Sequence, residues 1–172
     1  MASLMENLIQ VLEQESEEYE GLLSLSQKKT PIIVSSDLEK LQKITDDEQV
    51  IVSRINQLEK KRTEVVADIA NVLNRDVDTL KLANLIEMLA ARSVEQAKLA
   101  EAHDRLQKSV YGLKRVNEQN RELLTNALEM IEFEMNLLQA SKAAPETANY
   151  NKGAYNAGDT MGVYNGGFDS KQ

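Results

Sequence analysis

Apolar residues recur at helical spacing along most of this chain, and the recurrence divides it into segments. The first runs from about residue 3 to residue 29. Met5, Leu8, Leu12, Tyr19 and Leu22 fall on one stripe, with Ile9 and Leu23 beside it, which predicts an amphipathic helix. Glu15 interrupts that stripe. Thr30-Pro31 is expected to end the helix, because the residue before a proline is pushed out of the α region.

A second helix is predicted from Asp37 to Leu73. Ser36 followed three residues later by Glu39 is the capping-box arrangement. Positions 41, 44, 48, 51, 55, 58, 62, 65, 69 and 72 then alternate steps of three and four, and all but Glu48 and Arg62 are apolar. That is a heptad seam, on a helix roughly 55 Å long at 1.5 Å per residue. Asn74 can take the left-handed conformation that stops it. In a short third segment, Asp76 and Asp78 offer N-caps before Thr79-Leu80, and Leu82, Leu85, Ile86 and Leu89 follow at helical spacing. Around Ala91-Arg92-Ser93 the pattern changes phase, which fits either a turn or a continuing helix.

The last helix is predicted from about Val94 to Ala140. Leu99, His103, Leu106, Val110, Leu113, Asn117, Asn120, Leu124, Ala127, Ile131, Glu134 and Leu138 alternate steps of four and three. Gly112 is a weak point in it. A second apolar row of Leu123, Met130, Phe133 and Leu137 flanks the seam near its end, so the apolar face there is wider than one partner helix covers. Asn117 and Asn120 have two readings of equal weight: they fix helix register, as a buried Asn does in coiled coils, or they mark a face that awaits a partner.

The pattern stops at Pro145. Beyond it there is no Leu or Ile, and Tyr-Asn-x-Gly occurs three times, at residues 150–153, 155–158 and 164–167. The composition predicts disorder. The repeats read either as low-complexity, turn-prone chain or as a short linear motif whose tyrosines dock on something. The expected architecture is all-α: an elongated antiparallel helical hairpin or bundle with coiled-coil-like heptad packing over residues 1–141, then a disordered Gly/Asn/Tyr-rich tail over residues 142–172.

Composition narrows the function. Of seven Gly, five lie beyond residue 150, and the two Pro are Pro31 and Pro145, a profile of long helices. There is no Cys, which excludes disulfides, thiolate catalysis and thiolate zinc sites and fits a reducing compartment. Residues 1–10 show no signal-peptide pattern, and no apolar run approaches a membrane span. The net charge is −8, and Glu6, Glu13, Glu15, Glu17, Glu18 and Glu20 all precede the first base, Lys28. Such a chain repels phosphate backbones, so nucleic acid is not an expected partner. The glutamates read as a solvated face or as a contact for a basic partner. His103 is the only histidine and reads as a partly solvated seam position. It lacks the Glu-x-x-His spacing of helical metal sites, since residue 100 is Ala. No nucleotide-binding loop or nucleophile elbow is present. The expectation is a binding protein with no catalytic residue, metal or cofactor.

The stretch from Leu113 to Leu138, LKRVNEQNRELLTNALEMIEFEMNLL, resembles the last helix of the FlgN family of flagellar export chaperones. The layout of a first helix, a long heptad helix, a short Thr79-Leu80 segment and a long last helix is similar as well. The likeness covers residues 3 to 140 and, more loosely, the tail ending in Phe168-Asp169-Ser170-Lys171. It implies a cytoplasmic protein that binds flagellar hook-associated proteins before type III export, keeps them unassembled and passes them to export apparatus components. It also implies that the client's C-terminal segment folds as an amphipathic helix on the chaperone. The family's binding region maps here onto Asn117, Asn120, Leu123, Leu124, Leu128, Ile131, Met135 and Leu138. A homo-oligomer is possible. The competing expectation is a structural coiled-coil scaffold or oligomerisation module with no client.

Overall fold

The computed structural model describes residues 2–77, 80–89 and 93–143. Among them are four helices, α1 (Ala2–Val34), α2 (Leu38–Leu73), α3 (Leu82–Met88) and α4 (Ser93–Ala143). The protein is all-α. Of the expected tail, Lys142 and Ala143 belong to α4, and residues 144–172 lie outside the described residues. Two units separate along the chain, Met1–Leu128 and Glu129–Gln172.

In the first unit, α1 and α2 form an antiparallel hairpin, with Glu15 facing Arg62 and Lys29 facing Glu48. The turn between them differs from the sequence expectation in two respects. Helix α1 continues through Pro31 to Val34: the proline forgoes the bond its N–H would make to residue 27, and the turn beyond it closes with bonds of its own. Ser35 N–H still reaches the Pro31 carbonyl at 3.0 Å, and Ser36 N–H reaches that of Ile33 at 3.1 Å. Ser36 is not the cap of α2. It takes φ 54°, the left-handed position of the turn, and Asp37 caps instead, its carboxylate accepting from Lys40 N–H at 3.1 Å. At its far end α2 stops as expected. Asn74 is left-handed, and Arg75 and Asn74 N–H groups return to the carbonyls of Ala70 and Asn71, a Schellman closure.

Along α2, Ile44, Ile55, Val65 and Ile69 are buried while Val72 is 56% exposed, and Ala70 turns inward near the end. A straight helix drifts about 20° per heptad from a 3.5-residue seam, so a row drawn from residue 41 leaves the core before residue 72.

Helix α4 lies parallel to α1. Its contacts ascend with the α1 numbering: Ser16 to Ala102, Glu20 to Arg105, Leu23 against Gly112, Ser26 to Asn120. The main core joins Leu8 and Leu12 of α1 and Ile69 of α2 to Leu85 of α3 and Leu99 and Leu106 of α4. Each fully buried Leu or Ile contributes roughly 1.5–3 kcal/mol. A smaller cluster follows at Leu22, Ile55 and Leu113. Helix α3 starts at Leu82 without a side-chain cap, later than Asp76 and Asp78 suggest. Asp78 and Thr79 lie outside the described residues, as do Ala91 and Arg92 at the phase change.

The seam of α4 runs one residue away from part of the expected row. Leu99, Ala102, Leu106, Ser109, Leu113 and Asn120 are buried, whereas Val110 is 41% exposed and Asn117 is exposed. Small side chains let α1 approach: Ser16 Oγ lies 3.4 Å from the Ala102 carbonyl. A Cβ on Gly112 would sit 3.2 Å from Leu23 Cδ2, so this glycine serves close packing, and α4 passes through it unbroken.

Candidate functional site

Polar residues that interrupt the apolar stripes meet one another inside the first unit. Glu15 of α1 is fully buried, and its Oε2 accepts from Arg62 Nη1 at 2.9 Å. Its Oε1 has no hydrogen-bond partner. Burial therefore raises the Glu15 carboxyl above the ordinary glutamate range, with Arg62 opposing and Glu59 adding to the rise. Beside it, Tyr19 OH donates to Glu59 Oε1 at 2.9 Å, and burial, this bond and the neighbouring carboxylates push the phenol up to about 12. Farther along, Glu48 accepts from Ser26 Oγ at 3.0 Å and from Lys29 Nζ at 2.7 Å. The two polar exceptions in the α2 seam, Glu48 and Arg62, are thus each matched by polar exceptions in α1. At the edge, Arg105 grips Glu20 with two bonds of 2.6 and 2.8 Å, which holds that carboxyl below its ordinary range.

Asn120 closes this series. It is 4% exposed; its Nδ2 donates to the Ser26 carbonyl at 2.8 Å and its Oδ1 accepts from Thr30 Oγ1 at 2.7 Å. Both ends of the amide are committed to α1, so Asn120 fixes the register of α1 on α4. Asn117, three residues earlier, is exposed and makes no such bond. Leu123 and Leu124 are half-buried, and Leu128 is 66% exposed. A shallow pocket of about 250 Å³ is lined by Lys29, Asn117, Asn120, Leu124 and Leu128 among others.

The second unit contributes the end of α4. Met130, Ile131, Phe133, Met135, Leu137 and Leu138 are each between 53% and 67% exposed. At about 100° per residue, Ile131, Met135 and Leu138 form one row and Met130, Phe133 and Leu137 another, the two centred roughly 130° apart. Together they cover roughly 200° of the helix, broken by Glu134, while Glu129, Glu132, Asn136 and Gln139 hold the opposite side. An apolar arc of that width is found on helices covered by partners. The expected site residues therefore divide: Asn120 is built into the first unit, Leu123 and Leu124 lie at its edge, and Leu128, Ile131, Met135 and Leu138 are open.

A groove of about 780 Å³ along α4, lined by Arg62, Leu82, His103, Val110, Tyr111 and Lys114 among others, was not singled out by the sequence pattern. His103 there lies 3.5 Å from its neighbour Asp104. Among the described residues no cluster of acidic or histidine side chains is arranged to hold a metal ion, and no helix is long and apolar enough to cross a membrane.

A family model described as "FlgN protein" matches residues 1–157. The chain belongs to the FlgN family. It is also similar to "Uncharacterized protein YvyG" of Bacillus subtilis (strain 168), with 26% identity over 133 residues that cover 77% of this chain and 76% of that protein. No solved structure matches the chain significantly. FlgN proteins are a flagellar export chaperone family, and the resemblance read from Leu113–Leu138 is confirmed at family level.

Proposed function

We propose that this FlgN-family protein is a cytoplasmic type III export chaperone for the flagellar hook-associated, filament-junction proteins. It binds their C-terminal helical segments, prevents premature assembly and delivers them to the export apparatus. The observation that carries this reading is the apolar arc at the end of α4, where six large side chains are each more than half exposed. A client segment with apolar residues at i, i+3, i+4 and i+7 would lie along Ile131, Met135 and Leu138. Ordering the client on binding costs part of the interaction energy, which keeps affinity between roughly micromolar and nanomolar and allows release.

The test is the double variant Ile131→Ser with Leu138→Ser, titrated with a peptide of a hook-associated protein's C-terminal segment. At least about a tenfold loss of affinity, near 1.4 kcal/mol, is expected with helicity retained. Unchanged binding by the folded variant would exclude this row. A scaffold without a client predicts no peptide binding by either protein, together with a permanent oligomer in light scattering that the double variant breaks.

A further inference from the structure

Glu134 stands at the centre of the apolar arc at the end of α4. Its neighbours on the helix surface, three and four residues away, are Met130, Ile131, Leu137 and Leu138, all more than half exposed. At about 100° per residue, Glu134 lies about 40–60° around the helix from each of them, between the two apolar rows. Whichever row a partner covers, this carboxylate borders or enters the contact. We propose that Glu134 selects the partner: it requires an arginine or lysine within the apolar stripe of the client helix. The inference rests on the reading of the arc as a client site and names the chemistry that the client must bring.

Three observations support this chemistry. The first is that α4 does not supply the cation itself. Every position three or four residues from Glu134 is apolar, and the next base along the helix is Lys142, about 12 Å farther along the axis. Among the described residues Glu134 has no ion-pair partner. The second is the cost of closing a contact over it. A wholly apolar stripe would take the charge out of water and leave it uncompensated. A stripe that carries a guanidinium or ammonium opposite Glu134 forms a charge-assisted hydrogen bond there instead. One side chain thereby rejects the first kind of helix and accepts the second.

The third is the finished interface in the first unit. Two carboxylates interrupt apolar stripes there, and each is met by a base on the facing helix. Glu15 in the α1 stripe accepts from Arg62 in the α2 seam at 2.9 Å, and Glu48 in the α2 seam accepts from Lys29 of α1 at 2.7 Å. Glu134 interrupts the arc in the same way, and the base that answers it belongs to the client. Such a pair sets the register of a helix on a face whose other side chains are uniformly apolar and would tolerate sliding. The net charge of −8 also draws a segment with an exposed base toward this chain.

The probe is the peptide of a hook-associated protein's C-terminal segment, together with versions in which each Arg and Lys is replaced in turn by Gln. These are titrated by calorimetry into the full-length wild type, Glu134→Gln and Glu134→Lys. Position 134 is exposed, and circular dichroism checks that both variants keep their helicity. Glu134→Gln should weaken the unaltered peptide at least about fivefold, and Glu134→Lys more. One peptide substitution should reproduce the fivefold loss against wild type and cause no further loss against Glu134→Gln. Replacing that same peptide residue by Glu should restore binding to Glu134→Lys to within about threefold of the original pair. Equal or tighter binding by Glu134→Gln would overturn the proposal, since it makes the carboxylate no more than a desolvation cost. So would a loss that couples to no single base of the peptide. Self-association of the free protein that Glu134→Lys disperses would assign the cation to a second copy and overturn it as well. If Ile131→Ser with Leu138→Ser weakens binding while Glu134→Gln does not, this proposal falls and the client reading stands. A peptide bound by neither wild type nor variants overturns both.

Discussion

Between α1 and its neighbours this protein buries charge, and along residues 129–143 it exposes hydrocarbon. Both arrangements invert the usual partition, and they differ in whether partners are present. In the first unit Glu15 has Arg62, Glu48 has Ser26 and Lys29, and Asn120 has Ser26 and Thr30. Such pairs add little net stability over apolar packing, but a helix shifted by one step would strand them unpaired. They specify one register where a uniform Leu/Ile seam would tolerate several. At the end of α4 six large apolar side chains are more than half exposed and have no such partners among the described residues. The contrast teaches that a buried polar group with its bonds made records a finished interface, and an exposed apolar arc records one still to be made.

The largest effect is expected where the comparison is broken from the inside. Leu12→Asp places an unpaired charge at a fully buried position between three helices. It should cost several kcal/mol and abolish the cooperative melt seen by circular dichroism. A folded variant would mean that the cluster around Leu12, Ile69 and Leu99 is not the core.

Next comes Arg62→Met, which removes the partner of buried Glu15. The expected loss at neutral pH is about 3 kcal/mol, read from urea denaturation. The pH dependence has a definite sign. Because burial raises the Glu15 carboxyl in the folded state, its contribution to stability is fully present in acid, below about pH 4.3, and is lost as pH rises through the folded-state value. Arg62 opposes that rise, so its removal should destabilise most at pH 7 and progressively less toward pH 4. A difference between variant and wild type that is flat across this range would show that Glu15 is not the group responsible.

A smaller effect distinguishes the two asparagines. Asn120→Ala removes the short bonds to the Ser26 carbonyl and the Thr30 hydroxyl, leaving their longer 3.4 Å contact with each other, and should cost about 1–3 kcal/mol. Asn117→Ala, on the exposed side, should stay within about 0.5 kcal/mol. Equal effects would undo the assignment of Asn120 to register.

These residues also mark how far the sequence could be read. Helix α2 was legible almost end to end, because large aliphatic side chains mark its buried stripe and Asn74 is a strong stop. The end of α1 lies beyond the expected stop because a proline removes one helix bond and can kink a helix without ending it, and the bonds made after Pro31 carry the helix to Val34. The α4 seam was drawn through His103, Val110 and Asn117 because the residues that do face inward, Ala102 and Ser109, are too small to register as apolar. Whether Asn117 or Asn120 pairs with α1 depends on which α1 residue lies opposite, and spacing within α4 does not contain that. The width of the apolar face, by contrast, is a property of one helix alone, so it was visible before any partner helix was placed.

The smallest expected effect on stability is at the open end. In the Ile131→Ser, Leu138→Ser variant, neither side chain loses a buried contact, since both are more than half exposed in the native state. Serine is a poorer helix former than leucine by a few tenths of a kcal/mol per site, so fraying should be confined to the last turns of α4. The urea midpoint of the first unit should move by no more than about 0.5 kcal/mol equivalent, with a slight loss of helical signal. A loss above about 2 kcal/mol would mean that this row is already covered in the free protein. Repeating the measurement over a hundredfold range of concentration would then identify the cover. A concentration-dependent loss points to a second copy and to a permanent assembly, whereas a concentration-independent loss points to cover from within the same chain.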